Sequence, residues 1–220
     1  MTDMSARDRI IARIRAAQGP RGEPSKAVRA AAELYISAHP QGPRPRSDWD
    51  PLVRFRERAI SLSSSVETVA SPSEAPEAVA RYLAANALPL QAVCWPEIAG
   101  LGWGAAGVAV ESRPARGDDL VGITGAFCAI AETGTLMLLS GPQTPAATSL
   151  LPETHIAVLS AGRILRGMED AWALARGERG QLPRAVNFVS GPSRTADIEQ
   201  TINLGAHGPY RVHIVIVAGA

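Results

Sequence analysis

From residue 66 to the end of the chain, short apolar runs alternate with polar turns rich in glycine and proline. The runs are Val66–Ala70, Gln91–Trp95, Gly107–Val110, Leu120–Thr124, Thr135–Ser140, Ile156–Ser160, Ala185–Ser190 and Tyr210–Val217. Their length and β-branched content predict strands. Helical spacing falls between several of them, at Ser73–Ala85, Arg163–Arg176 and Arg194–Leu204. The last run contains VHIVIV, apolar at nearly every position, so both of its faces need cover. This alternation predicts a layered α/β domain around a mostly parallel sheet. One interval breaks the rhythm. Only Gly125–Gly134 separates LVGIT from TLMLLS, too short for a parallel crossover, so a hairpin turning at Thr133-Gly134 and a partly mixed sheet are predicted.

Before residue 65 the pattern is helical. Ile10, Ile11 and Ile14 share one side of a wheel among arginines within Ser5–Ala17, and Glu23–Ser37 reads as a second helix. The proline-rich connector AHPQGPRPRSD excludes regular structure, and Asp50-Pro51 opens a third helix reaching about Leu62. The expected organisation is a helical N-terminal extension over 1–64 and an α/β domain over 65–220.

Composition narrows the classes of function. A formal net charge of +1 gives no global drive towards nucleic acid, and no nucleic-acid partner is expected. No run approaches the ~18 apolar residues of a membrane span. The N-terminus lacks the apolar centre of a signal peptide, which points to a cytoplasmic protein. Cys94 and Cys128 lie apart in apolar segments, as buried free thiols do, and no ligand spacing for zinc or an iron–sulfur cluster is present. No metal or cofactor is expected in this chain.

Candidate chemistry gathers in the turns. GWGAAG, Gly102–Gly107, satisfies the dinucleotide spacing, but the strand-like VAVES follows where a helix would have to start, so it reads as a glycine-rich loop. In SGPSRTADIEQ, Ser193 or Thr195 can cap a helix whose free N–H groups, with Arg194 beside them, suit a carboxylate or phosphate. Asp197 and Glu199 offer the opposite reading, a self-satisfied cap. Glu132, at the apex of the apolar hairpin, is a candidate general base or nucleophile, or else a residue whose pairing fixes the turn. Among the histidines, His207 in AHGPY is the candidate catalytic one, whereas His155 and His213 read as core groups. No G-x-S-x-G elbow is present.

In an open α/β sheet, loops at the carboxyl ends of the strands share one edge, where ligands bind. Thr124-Gly125, Gly141-Pro142 and Gly191-Pro192 each follow an apolar run. The site drawn from this is catalytic Glu132 and His207 with ligand-binding Thr124, Gly125, Thr133, Gly191, Ser193, Arg194 and Thr195. His207 enters its strand from the other direction and needs a loop returning over that edge.

Three stretches, GITGAFCAIAETGTLMLLSGP, SLLPETHIAVL and GPSRTADIEQTINLGAHGP, closely resemble the lactate utilisation protein C family, which carries the LUD domain. The likeness is strong over about the C-terminal half, looser from Val66, and says little about the helices before it. It implies a three-layer α/β/α sandwich similar to sugar-phosphate isomerases and CoA transferases. It also implies the cluster-free small component of a bacterial system oxidising L-lactate to pyruvate, with iron–sulfur clusters on partner subunits. Three readings of function follow: an accessory or substrate-handling subunit binding a small anion, a stand-alone isomerase- or CoA-transferase-like enzyme using Glu132, and a non-catalytic adaptor.

Overall fold

The computed structural model describes residues 5–18, 24–195, 203–205 and 207–219. The chain divides into two units between Pro45 and Arg46. The first carries α1 (Ala6–Gln18) and α2 (Lys26–Ala38), neither of which buries a residue. Ser25 caps α2 by accepting the Val28 N–H. The third predicted helix, α3 (Pro51–Ser61), belongs to the second unit: Asp50 caps it through the Val53 N–H, and Phe55 and Ala59 are fully buried. The structural boundary therefore falls well before the expected one after residue 64, because α3 supplies core.

The second unit is built on six parallel strands, β1 (Ser65–Val69), β2 (Gln91–Cys94), β3 (Ala109–Ser112), β4 (Val121–Gly125), β7 (Thr154–Ser160) and β12 (Arg211–Val217). Their spatial order is β1-β12-β7-β4-β2-β3. As VHIVIV demanded, β12 is central, between β1 and β7. One face is covered by α4 (Ala75–Ala85), whose Ala78, Val79 and Leu83 pack with Ile123, Ile156, Val215 and Val217.

The predicted hairpin exists, in a sheet of its own. From β4 the chain enters β5 (Cys128–Ile130), turns, and returns antiparallel as β6 (Thr135–Leu139). These join β8 (Ile164–Leu165) and β9 (Val186–Val189) in the order β8-β5-β6-β9, so the mixing of directions falls here while the six-stranded sheet stays parallel. One face, Ala129, Ala131, Leu136 and Leu138, packs on Ala157, Leu159, Val212, Ile214 and Ile216 of the large sheet, alongside Phe55 and Ala59 of α3. The other face, Cys128, Ile130, Met137 and Leu139, meets Ala171 and Ala175 of α6 (Met168–Arg179). The α/β class and parallel sheet are as expected, with a second sheet between the first and α6. Each alternate side chain of β5 and β6 is thereby buried on one side or the other, which accounts for their unbroken apolarity.

Two predicted helices change. The segment expected as helix from Arg163 begins with a 3-10 turn and β8; α6 starts only after Gly167, whose N–H is taken by the Asp170 carboxylate at 3.0 Å. The helix expected over Arg194–Leu204 does not open at Arg194. Arg194–Thr195 is strand β10, paired antiparallel with β11 (Asn203–Leu204). The Ser193 N–H donates to the Pro209 carbonyl and the Gly205 N–H to that of Ser193, holding the segment extended. Residues 196–202, with Asp197 and Glu199, lie outside the described residues. A short helix, α5 (Ala147–Leu150), links β6 to β7.

Candidate functional site

The sequence-predicted residues divide between two ends of the small sheet. β6 and β9 are antiparallel, so the start of β6 lies beside the end of β9 and the end of β6 beside the start of β9. At the first of these ends Thr133 Oγ1 meets Thr135 Oγ1 at 2.8 Å, and Thr135 Oγ1 meets Ser190 Oγ at 2.6 Å. This hydroxyl chain joins the AETGT turn, with partly buried Glu132, to Gly191. A Cβ on Gly208 would lie 3.4 Å from that of Ser193, and the Tyr210 and Arg211 N–H groups donate to the Glu153 carbonyl just before β7. Glu132, Thr133, Gly191, Ser193, Arg194 and the His207-Gly208 turn thus gather near the amino ends of the parallel strands. His207 itself is exposed.

What they gather around is α3. At Gly134, with φ of 70°, a Cβ would come within 2.6–2.8 Å of Arg58 and Ala59. Arg194 donates from Nη2 to the Leu62 carbonyl at 2.9 Å and to Ser63 Oγ at 2.6 Å, satisfying acceptors where α3 ends. Its guanidinium is engaged by the protein, and the helix start that was to hold an anion beside it is strand.

Thr124 and Gly125 lie elsewhere. Thr124 is fully buried, with Oγ1 2.8 Å from His155 Nε2. Burial in an apolar layer pushes His155 down to about 4, so the imidazole is neutral near pH 7. Gly125, by contrast, lines a crevice at the carboxyl edge of the large sheet, just after β2, β4 and β7, together with Trp95, Ser160, Arg163 and Arg179. From β2 the chain runs outward to β3, and from β4 inward to β7. The crevice therefore stands at the switch point between β2 and β4, where open α/β sheets receive ligands.

This cavity, about 240 Å³, adjoins a larger one of about 500 Å³ bounded by Gly141, Pro142, Gln143 and Gln181. The two share Glu97, Leu139, Thr144 and Arg179. Of the three expected strand-end loops, Gly125 and Gly141-Pro142 meet here, and Gly191-Pro192 lies at the opposite end of β9. Both arginines sit over the Phe127 ring, Arg163 at 5.0 Å and Arg179 at 5.5 Å from its centre. Arg163 is paired bidentately with Glu178 at 2.5 and 2.9 Å, which holds the glutamate below its usual range. Arg179 forms no ion pair or hydrogen bond with a carboxylate among the described residues, feeling Glu178 only at longer range, which makes it the more available cation of the crevice.

Sequence reasoning missed Trp95, Glu97, Arg163 and Arg179. The first three were within its reach, since WPE and SAGR follow β2 and β7 directly. Arg179 was not, because only the packing of α6 brings it to this edge. GWGAAG is a 3-10 turn over Trp103–Ala106 that buries Trp103, whose Nε1 donates to the Ile98 carbonyl.

Residues 117–217 match the LUD domain. Over about the same length the chain is 40% identical to a lactate utilization protein C of Halalkalibacterium halodurans, across 102 residues covering 44% of each chain. It is 42% identical to another of Exiguobacterium, across 100 residues and again 44% of each. The chain spans less than half the length of these curated relatives. A crystal structure of a DUF162 family protein from Deinococcus radiodurans matches with a TM-score of 0.61 and 25% identity, covering 79% of this chain and all of that one. The resemblance read from the AETGT, GPSRT and HGP stretches is shown by these matches. The LUD segment contains every one of those signatures and supplies Gly125, Thr144, Ser160, Arg163 and Arg179 to the crevice. Among the described residues no helix is long and apolar enough to cross a membrane.

Proposed function

We propose that this chain is a component of a lactate-utilisation system, an accessory or substrate-handling subunit that holds a small carboxylate in the crevice between β2 and β4. The reading is carried by the likeness to lactate utilization protein C over the segment that builds the crevice. Arg179 pairs with the carboxylate, Thr144 and Ser160 supply hydroxyls, and Phe127 and Trp95 wall the site. In this reading the electrons from lactate pass to iron–sulfur partner subunits, and the crevice of this chain holds and orients the carboxylate.

The experiment measures lactate-dependent electron transfer by the purified chain alone, by its partner subunits alone and by both together. Turnover only in the combination, lowered about tenfold by Arg179→Ala, is the expected result. Turnover by the isolated chain, abolished by Glu132→Gln and indifferent to Arg179→Ala, would instead establish the stand-alone enzyme.

A further inference from the structure

At the opposite edge, α3 carries two arginines one turn apart, Arg54 and Arg58, whose Nε atoms are both buried and without a hydrogen-bond partner. The Arg58 guanidinium makes no hydrogen bond or ion pair among the described residues, and that of Arg54 makes only a ring contact, 5.8 Å from the centre of Trp49. Arg166 approaches the same ring from the other element, at 5.7 Å, anchored by Nη1 to the carbonyls of Ser47 and Trp49. The Arg166 carbonyl in turn accepts the Glu132 N–H, and the Gly134 turn abuts Arg58. Just past α3, Ser64 is 5% exposed and keeps its Oγ buried with no partner.

Such an arrangement is costly as it stands. Like charges at i and i+4 on a helix repel, and a buried guanidinium N–H without an acceptor forfeits a charge-assisted hydrogen bond. The neighbouring carboxylates form no ion pair with it among the described residues: Asp50 caps the helix through the Val53 N–H, and neither Glu57 nor Glu132 is paired. A single carboxylate satisfies one guanidinium fork, whereas a tetrahedral dianion offers acceptors to several at once.

We infer that Arg54 and Arg166, which flank Trp49, and Arg58, one turn along α3 and against the AETGT turn, form a binding site for a phosphate group. The site is separate from the carboxyl-edge crevice and takes the phosphate of a soluble ester or of a lipid headgroup.

The test follows the Arg Nε–Hε resonances of the ¹⁵N-labelled chain during titration with inorganic phosphate and with pyrophosphate at constant ionic strength. A parallel arm uses phosphatidylcholine vesicles with and without phosphatidic acid. Saturable shifts of the Arg54 and Arg58 signals are expected in at least one arm. They should weaken about tenfold or more in Arg58→Gln, weaken in the surface variant Arg166→Gln, and be unaltered in Arg179→Ala. Arg166→Gln removes an exposed side chain and serves if Arg58→Gln fails to fold. Shifts reproduced by chloride, absent in every arm, or indifferent to Arg166→Gln would overturn the inference. Loss in Arg179→Ala would also overturn it, by assigning the phosphate to the crevice.

Discussion

Gly191 stands directly against the carbonyl of Leu62: a Cβ on the glycine would come within 2.3 Å of that oxygen. The backbone there has φ of 77°, which L side chains rarely adopt. The GPSRT signature is thus explained in its first residue by contact with the end of α3. Gly191→Ala meets both penalties at once and should destabilise the chain by about 2–4 kcal/mol, measured by urea unfolding. A loss under half a kcal/mol would mean that α3 is not fastened there.

Arg194 belongs to the same fastening. With its guanidinium on Leu62 and Ser63, Arg194→Ala should lower the melting temperature by about 2–4 °C and leave carboxylate affinity at the crevice unaltered. Calorimetric titration of the variant with lactate and pyruvate checks this. A lost carboxylate site with unaltered melting temperature would return Arg194 to the binding role that its sequence context suggests.

The contrast between these residues and Arg179 shows what the chain discloses in one dimension. Strands were legible because burial on both faces writes itself as unbroken apolar runs, and the hairpin because ten residues cannot cross over. Arg194–Thr195 misled because polar residues after a Gly-Pro turn resemble a capped helix, while what keeps them extended is pairing with Asn203–Leu204 and the bonds of Ser193 to Pro209 and Gly205. The candidate residues were chosen on the premise that all strand-end loops share an edge. That holds for the parallel strands after Gly125 but not for β9, whose direction is set by its antiparallel pairing with β6. Strand direction is a property of pairing, and no local pattern carries it.

Two buried imidazoles make stability depend on pH. His155, fully buried, and His213, stacked on Tyr82 with ring centres 3.9 Å apart and bonded to Ser65 Oγ at 2.8 Å, are each pushed by burial to about 4. The unfolded chain binds protons at these sites from about pH 6.5 downward, and the folded chain only near 4. Stability is therefore full above 6.5 and falls as pH drops towards 4, by up to roughly 3 kcal/mol for each histidine. His213→Phe keeps the stack and removes the buried, unpartnered Nε2. Its melting temperature should match or exceed the parent's at pH 7.5 and fall less on acidification to pH 4.5. Parallel pH profiles for the two proteins would refute this assignment.

The electrostatics of the crevice turn on Glu178. It neutralises Arg163 from a partly exposed position, 39% accessible, and also feels Arg179, which forms no ion pair among the described residues and lies beside Phe127. Exposed ion pairs contribute little to folding, so Glu178→Gln should barely move the melting temperature. Removing that carboxylate frees a second guanidinium for an incoming anion. Pyruvate or lactate should then bind about two- to fivefold more tightly at low salt, with the gain shrinking as ionic strength rises. Arg163→Gln, which deletes the cation and leaves Glu178 charged, should move affinity the other way. Opposite signs for these two neighbours place the ligand at the β2–β4 switch point; equal or null effects in both would remove it from there.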